Sequence, residues 1–283
     1  MTTYHRPRTL DDALALLAEG GVTVAAGCTD LYPATPAKAL RGPVLDITAV
    51  AGLRGIARGG GGLRIGATTT WTDILRADLP PAFDMLKQAA REVGSVQIQN
   101  AGTIAGNLCN ASPAADGAPC LMALDASVEI ARAGGTRALP LADFLTGPRR
   151  TALAPGELVT AVTVPETALE GESRFLKLGA RTYLVISIAM VAARLAVREG
   201  RVARAALSVG ACGPVAVRLG AVEQALTGLP LAEAAGAVDT EAVANALSPI
   251  DDVRADAAYR AEAAAELVRR ALADLAGPEA RAA

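Results

Sequence analysis

The chain has 283 residues, enough for two or three domains, with 52% hydrophobic residues to fill their cores and a formal net charge of −2. That charge, with aromatics at 3%, speaks against nucleic acid, which calls for a basic field and stacking platforms. Four scattered cysteines without a CxxC pair (Cys28, Cys109, Cys120, Cys212) and one histidine, His5, argue against a metal or iron–sulfur site held by this chain and against histidine-based triads. A bound cofactor is therefore expected to carry any reaction.

The start, MTTYHRPRTLDDA, is polar and unlike a signal peptide. Residues 9–19 predict a short helix: Thr9 as N-cap, Asp11 and Asp12 at the positive end, Leu10, Leu14 and Leu17 on one face, and Gly20–Gly21 as stop. Strands follow at 22–26 and 44–47, which gives a small β–α–β unit over the first fifty residues. A glycine linker at 59–62 introduces a new segment at 63–67. Helices are expected at 72–77, 83–93 and 114–124, and a hairpin at 127–131 and 136–139 around Gly134–Gly135. A strand at 158–164 ends at Pro165, and a boundary is expected near 166–173. Beyond it the pattern predicts strands at 174–178, 186–197 and 202–211, the last two around Glu199–Gly200. An amphipathic helix is expected at 215–226, an Ala-rich helical stretch at 231–246 interrupted at Gly236, and a long helix at 256–276 ended by Gly277–Pro278. The most apolar segment, 183–197, is interrupted by Arg194 and is too short to span a membrane. A soluble, reduced, cytoplasmic protein is the expectation.

Two small-residue segments carry the functional signal. The first, VAAGCTDL at 24–31, is an apolar strand running into a turn with exposed donors. The second, NAGTIAGNLCNASPAAD at 100–116, sets Gly102, Ala105, Gly106 and Ala111 among Thr103, Asn107, Asn110 and Ser112. Small residues let backbone N–H groups approach an anion. Neither is GxGxxG, and no GxxxxGK[ST] occurs. Together they suggest a split site for a long diphosphate ligand; the alternative is a pair of ordinary surface loops.

The order AAGCTDL (25–31), IGATTT (65–70), QIQNAGTIAGNLCNASPAAD (97–116), LVTAVTVP (158–165) and FLKLGARTY (175–183) resembles the FAD-binding medium subunit of molybdenum hydroxylases, the family of carbon monoxide dehydrogenase and xanthine dehydrogenase. The resemblance covers nearly the whole chain. It implies an α+β fold: a two-subdomain FAD-binding domain of PCMH type at 1–55 (β–α–β) and 56–168, then a C-terminal flavoprotein domain at 169–283 with a three-stranded antiparallel sheet and helices. It implies FAD on this chain, and the molybdenum cofactor and two 2Fe–2S clusters on partner subunits. The partners would be a small iron–sulfur subunit and a large molybdenum subunit, in a dimer of heterotrimers. Electrons would reach FAD from the clusters and leave to an external acceptor. No catalytic residue and no metal ligand are assigned to this chain.

By the same resemblance, Val24, Ala25, Ala26, Gly27, Cys28, Thr29, Asp30 and Leu31 would cradle the diphosphate. Thr103, Ile104, Ala105, Gly106 and Asn107 would form the other half. Asp116 would accept hydrogen bonds from ribose or ribityl hydroxyls; the alternative is a helix cap. Val93 and Val159 would contact the cofactor or serve as core. Lys177 would lie near the isoalloxazine, against the alternative of a solvated strand lysine. Tyr183 would cover a ring face and gate acceptor access, against the alternative of core. The family often has paired glycines in both loops, and here Cys28 and Ala105 take the second places. Both are expected at negative φ, and a positive φ at either would count against the transfer. Cys28 is open to a redox or covalent role or to that of a small filler. A stand-alone flavin oxidoreductase and a flavin-free scaffold are the rival readings.

Overall fold

A computed structural model describes residues 3–36, 39–59 and 61–277. The chain opens with β1 (Tyr4–His5), α1 (Leu10–Ala18), β2 (Thr23–Ala25) and β3 (Val44–Asp46). The strands form a parallel sheet in the order β1-β3-β2. Helix α1 begins as its sequence dictates: the Thr9 hydroxyl accepts from the Asp12 N–H at 3.2 Å. Gly20 and Gly21, at φ 78° and 68°, stop it. Ala13 and Leu14 bury against Leu45, Ile47, Val50 and Leu53. Strand β1 has only two residues and leaves no periodic signal.

Next come β4 (Ile56–Gly59), β5 (Gly62–Gly66), α2 (Trp71–Arg76), α3 (Asp84–Glu92), α4 (Val96–Ala101), α5 (Ile104–Asn110) and α6 (Gly117–Ala123). They are followed by β6 (Ser127–Arg132), β7 (Gly135–Pro140), α7 (Leu141–Phe144), β8 (Leu145–Gly147), β9 (Arg150–Thr151) and β10 (Leu158–Pro165). The glycines expected as a linker instead join the hairpin β4–β5, in which Gly59 pairs with Gly62; Gly60 lies outside the described residues. Gly62 has φ 133°, and a Cβ there would lie 2.0 Å from the Val164 carbonyl, so the hairpin needs glycine where it passes β10. The antiparallel sheet runs β4-β5-β10-β6-β7. Its covered face packs on Trp71, Phe83, Leu86, Ile104, Leu108 and all of α6.

The last third comprises β11 (Glu172–Leu178), β12 (Ala189–Arg198), β13 (Arg201–Gly210), β14 (Val217–Arg218), α8 (Gly220–Leu226), α9 (Thr240–Asn245) and α10 (Ala257–Ala276). The sheet β11-β12-β13-β14 is antiparallel and has four strands, one more than expected. The extra strand takes the first half of the predicted helix at 215–226: Val217 pairs with Val209, and α8 starts only at Gly220. The stretch 231–246 reduces to a 3₁₀ turn at Leu231–Glu233 and the short α9. Asp256 caps α10, accepting from the Tyr259 N–H at 2.7 Å. The helix ends at Gly277, φ 86°; Pro278 lies outside the described residues. No helix among the described residues is long and apolar enough to cross a membrane.

Strand β12 is buried on both faces from Ala189 to Ala196, which explains an apolar run there that only Arg194 breaks. Ala189, Val191, Ala193 and Leu195 pack with α8–α10, while Met190 and Ala192 join the core around α6. Helix α6 is gripped at both ends from the C-terminal sheet. At its start, Asp116 pairs with Lys177 at 2.8 Å. At its end, Arg194 Nε donates to the Ala123 carbonyl at 3.1 Å and Arg218 Nη1 to the Met122 carbonyl at 3.1 Å. Both arginines also pair with Asp125. Cations at the end of a helix complete its open carbonyls and oppose its dipole.

Candidate cofactor site

A cleft of about 830 Å³ lies between the turn after β2, the segment from α4 to α6, the approach to β10, and residues 184–186. That is the size of a small-molecule site. Val24, Ala26, Gly27, Cys28, Thr29, Asp30, Leu31, Val93, Thr103, Ala105, Gly106, Asn107, Asp116, Val159 and Lys177 all line it. Three residues of the sequence-based set do not. Ala25 is buried in β2 at 5% exposure, Ile104 is buried in the core, and Tyr183 is 65% exposed and not among the residues that line the cleft. Tyr183 is neither core nor a wall; the adjoining Leu184, Val185 and Ile186 line the cleft in its place.

Strand β2 ends at Ala25 because the chain must turn to meet α4. Gly27 makes the contact: a Cβ there would lie 1.9 Å from the Ala101 carbonyl oxygen. Gly102 answers from the other side, with Thr29 Oγ1 and Trp71 packed over its Cα. The glycines thus bring two backbones together. Past the contact the carbonyls turn inward: Tyr32 N–H donates to Cys28 O, Ala34 N–H to Asp30 O, and the Thr35 hydroxyl to Leu31 O. Among the described residues none of the N–H groups of residues 27–31 donates to a protein acceptor. Such a row of open amides suits an anion.

The expectation of negative φ fails at Cys28, which sits at φ 58°. The turn requires a left-handed residue here, at a cost of roughly 1–2 kcal/mol for a side chain. The thiol turns back along the chain, Sγ donating to the Ala26 carbonyl at 3.5 Å. A positive φ here counts against carrying the family's cradle over to this loop. Burial and the Asp46 carboxylate push the Cys28 thiol upward. It stays protonated at neutral pH, which favours the filler reading of Cys28 over a nucleophile.

The second segment is not a loop but the two helices α4 and α5, joined at Gly102–Thr103. Ala105 lies within α5 with helical backbone, as expected. The N–H groups of residues 104–107 are already used. Ile104 donates to Thr69 O, Ala105 to Ala67 O, Gly106 to the Thr103 hydroxyl, and Asn107 to Thr103 O. Asn107 Oδ1, by contrast, is buried without a partner among the described residues. An orphaned acceptor in a cleft wall asks for a donor from a ligand.

At the inner end, Lys177 and Asp116 form their pair at 8% and 9% side-chain exposure, and the Ser187 hydroxyl donates to the other carboxylate oxygen at 3.2 Å. Burial pushes the Asp116 pKa up, against the pull of the Lys177 ammonium. Asp116 makes no side-chain cap to α6, and Lys177 is not solvated, so both alternative readings of this pair fall. On the outer wall, Glu157 holds Arg137 at 2.6 Å and is depressed to about 2 by that partner. Ser187 and the apolar run 184–186 are site residues that sequence reasoning missed: a serine inside an apolar stretch carries no motif. No group of three or more His, Cys, Asp and Glu side chains among the described residues is placed to hold a metal.

FAD fits these residues: open amides for its diphosphate, an orphaned acceptor and a carboxylate for its hydroxyls, and apolar walls at Val24, Val93, Ile98 and Val159. A parallel β–α–β unit facing an antiparallel sheet across such a cleft suits a dinucleotide cofactor. Family comparison is specific. The model described as "FAD binding domain in molybdopterin dehydrogenase" matches residues 1–167, and "CO dehydrogenase flavoprotein C-terminal domain" matches 174–275. The xanthine dehydrogenase FAD-binding subunit of Escherichia coli O157:H7 is 31% identical over 91% of this chain and 90% of its own length. The glyceraldehyde dehydrogenase medium chain of Sulfolobus acidocaldarius is 30% identical over 97% and 98%. A chain of reconstituted CO dehydrogenase from Oligotropha carboxidovorans superposes with a TM-score of 0.89 at 28% identity, covering 98% of each. The chain belongs to the family of FAD-binding subunits of molybdopterin dehydrogenases.

Proposed function

We propose that this chain holds FAD in the cleft described above and serves as the electron-transfer subunit of a molybdenum-containing dehydrogenase. The carrying observation is the cleft with open amides at one end and a buried ion pair at the other. When bound, FAD supplies the redox chemistry, taking up electrons and passing them on. The chain's own residues bind and orient. The amides of 27–31 would receive the diphosphate, with Thr29 beside them. Asn107 Oδ1 and Asp116 would accept from hydroxyls, and Val93 and Val159 would exclude water. Lys177 would add a cation to the site, which would favour negative charge on a reduced cofactor. Because the amides of 104–107 are internally bonded, the second half of the cradle would act through Thr103, Asn107 and packing at Ala105 and Gly106.

The iron–sulfur and molybdenum centres would lie on a small and a large partner subunit, in a cytoplasmic dimer of heterotrimers, with this chain divided at about residues 55 and 168. The test is direct. The purified chain is expected to show a visible band at about 450 nm from a flavin that acid releases without covalent residue. Pull-down from its native source is expected to bring an iron–sulfur and a molybdenum subunit with it. A colourless, folded protein would establish the scaffold reading instead, and flavin with no partners would establish the stand-alone enzyme.

A further inference from the structure

Arg260 belongs to α10 and lies outside the cleft, yet its side chain is only 2% exposed. Nη1 donates to the Ile188 carbonyl at 2.6 Å and to the Ala211 carbonyl at 3.3 Å, while Nη2 pairs with Asp252 at 2.7 Å. Its Nε has no partner among the described residues. A buried guanidinium with one donor unmet is a poor device for stability. What it does is fix two backbone points, and both lead to Asp116.

Ile188 is the closing residue of the loop 179–187: its N–H donates to the Leu178 carbonyl at 2.8 Å. The loop it closes presents residues 184–186 to the cleft, and Ser187 donates to Asp116. Ala211 ends β13 in a left-handed conformation, φ 63°, unusual for alanine. Its N–H donates to the Pro113 carbonyl at 3.0 Å, in the turn that leads into Asp116. Strain of this kind persists only where neighbours over-determine it. Here Pro113 holds one side of Ala211 and Arg260 the other.

We infer that Arg260 is a positioning residue for the cofactor cleft: from behind the C-terminal sheet it clamps Ile188 and Ala211, and through Ser187 and Pro113 it sets the Asp116–Lys177 pair against the ligand. The inference rests on the FAD reading above. Its test uses the full chain in its complex, with Arg260→Met, Arg260→Lys and the milder Asp252→Asn. Arg194→Met serves as the control, since Arg194 is equally buried but acts at the far end of α6.

Flavin dissociation constant, flavin midpoint potential and amide exchange at 187–188 and 211 are measured. Arg260→Met is expected to weaken flavin binding roughly tenfold, shift the potential and speed exchange at those amides, with Asp252→Asn following in the same direction and Arg260→Lys restoring part of each. Arg194→Met is expected to lower stability and leave binding and potential unchanged. If Arg260→Met does not fold, Arg260→Lys and Asp252→Asn decide by the same readouts. Unchanged affinity and potential in those variants, or an equal loss in Arg194→Met, would overturn the inference. Wild-type chain that binds no flavin would sink the functional reading instead, and the exchange at 187–188 and 211 would then judge the clamp by itself.

Discussion

The two small-residue segments look alike in sequence and behave oppositely in space. The turn at 27–31 leaves its amides open, while the carbonyls of Cys28, Asp30 and Leu31 accept from the turn that follows. The turn at 104–107 is the start of a helix whose amides are all occupied. Small residues serve contact in both: Gly27 meets Ala101, Gly102 meets Thr29 and Trp71, and Gly117 meets Trp71 and Asn107. Glycine content therefore marks where backbones meet, while the hydrogen-bond account decides which backbone is left for an anion.

Substitutions can break or sharpen this contrast. The largest effect is expected at Gly27→Ala, whose Cβ has no room beside the Ala101 carbonyl. A loss of about 3 kcal/mol or more is expected in denaturant unfolding, with flavin lost on gel filtration. Acid probes a wall that belongs to neither segment. Glu157 is depressed from 4.5 to about 2 by Arg137, so the stability it contributes is present above pH 4.5 and fades as pH falls toward 2. Allowing for the half-exposed Arg137, this amounts to about 2 kcal/mol. Glu157→Gln is expected to flatten stability over that window.

Cys28→Gly removes left-handed strain and is expected to stabilise the chain by about 1 kcal/mol while flavin affinity is kept or improved. Thr103→Ala removes the cap of α5 and is expected to cost about 1 kcal/mol. Its flavin dissociation constant is expected to change much less than that of Gly27→Ala. Ala105→Gly is expected to cost only about 0.5–1 kcal/mol as a helix-interior glycine, with no gain in affinity. A gain there would show that the second segment, too, gives backbone amides to the ligand.

Much of the fold was legible because its cues are local. Thr9 caps where it was read, α10 begins within a residue of the expected start, and the 127–140 hairpin turns at the expected Gly134–Gly135. The elements that escaped depend on distant partners. Strand β14 exists because Val217 finds Val209, and the glycines at 59–62 form a hairpin because β5 must pass β10. In the site, the order of motifs placed most of the lining. Cys28 was misread because the handedness of a turn is set by where the chain must go next, and the sequence of the turn leaves that open. Ser187 and Arg260 act through backbone carbonyls and a single carboxylate, contacts that no spacing encodes.

The grip on both ends of α6 has a consequence for modularity. The family models part near residues 167 and 174, yet Phe175, Met190, Ala192 and Ala206 complete the core around α6, Lys177 pairs with the carboxylate at its start, and Arg194 and Arg218 meet the carbonyls at its end. Cutting the chain between the two homology units would uncover an apolar surface and strand a buried carboxylate. The unit of inheritance is thus smaller than the unit of folding: the two segments recognised as separate families must be made, and must persist, as one body.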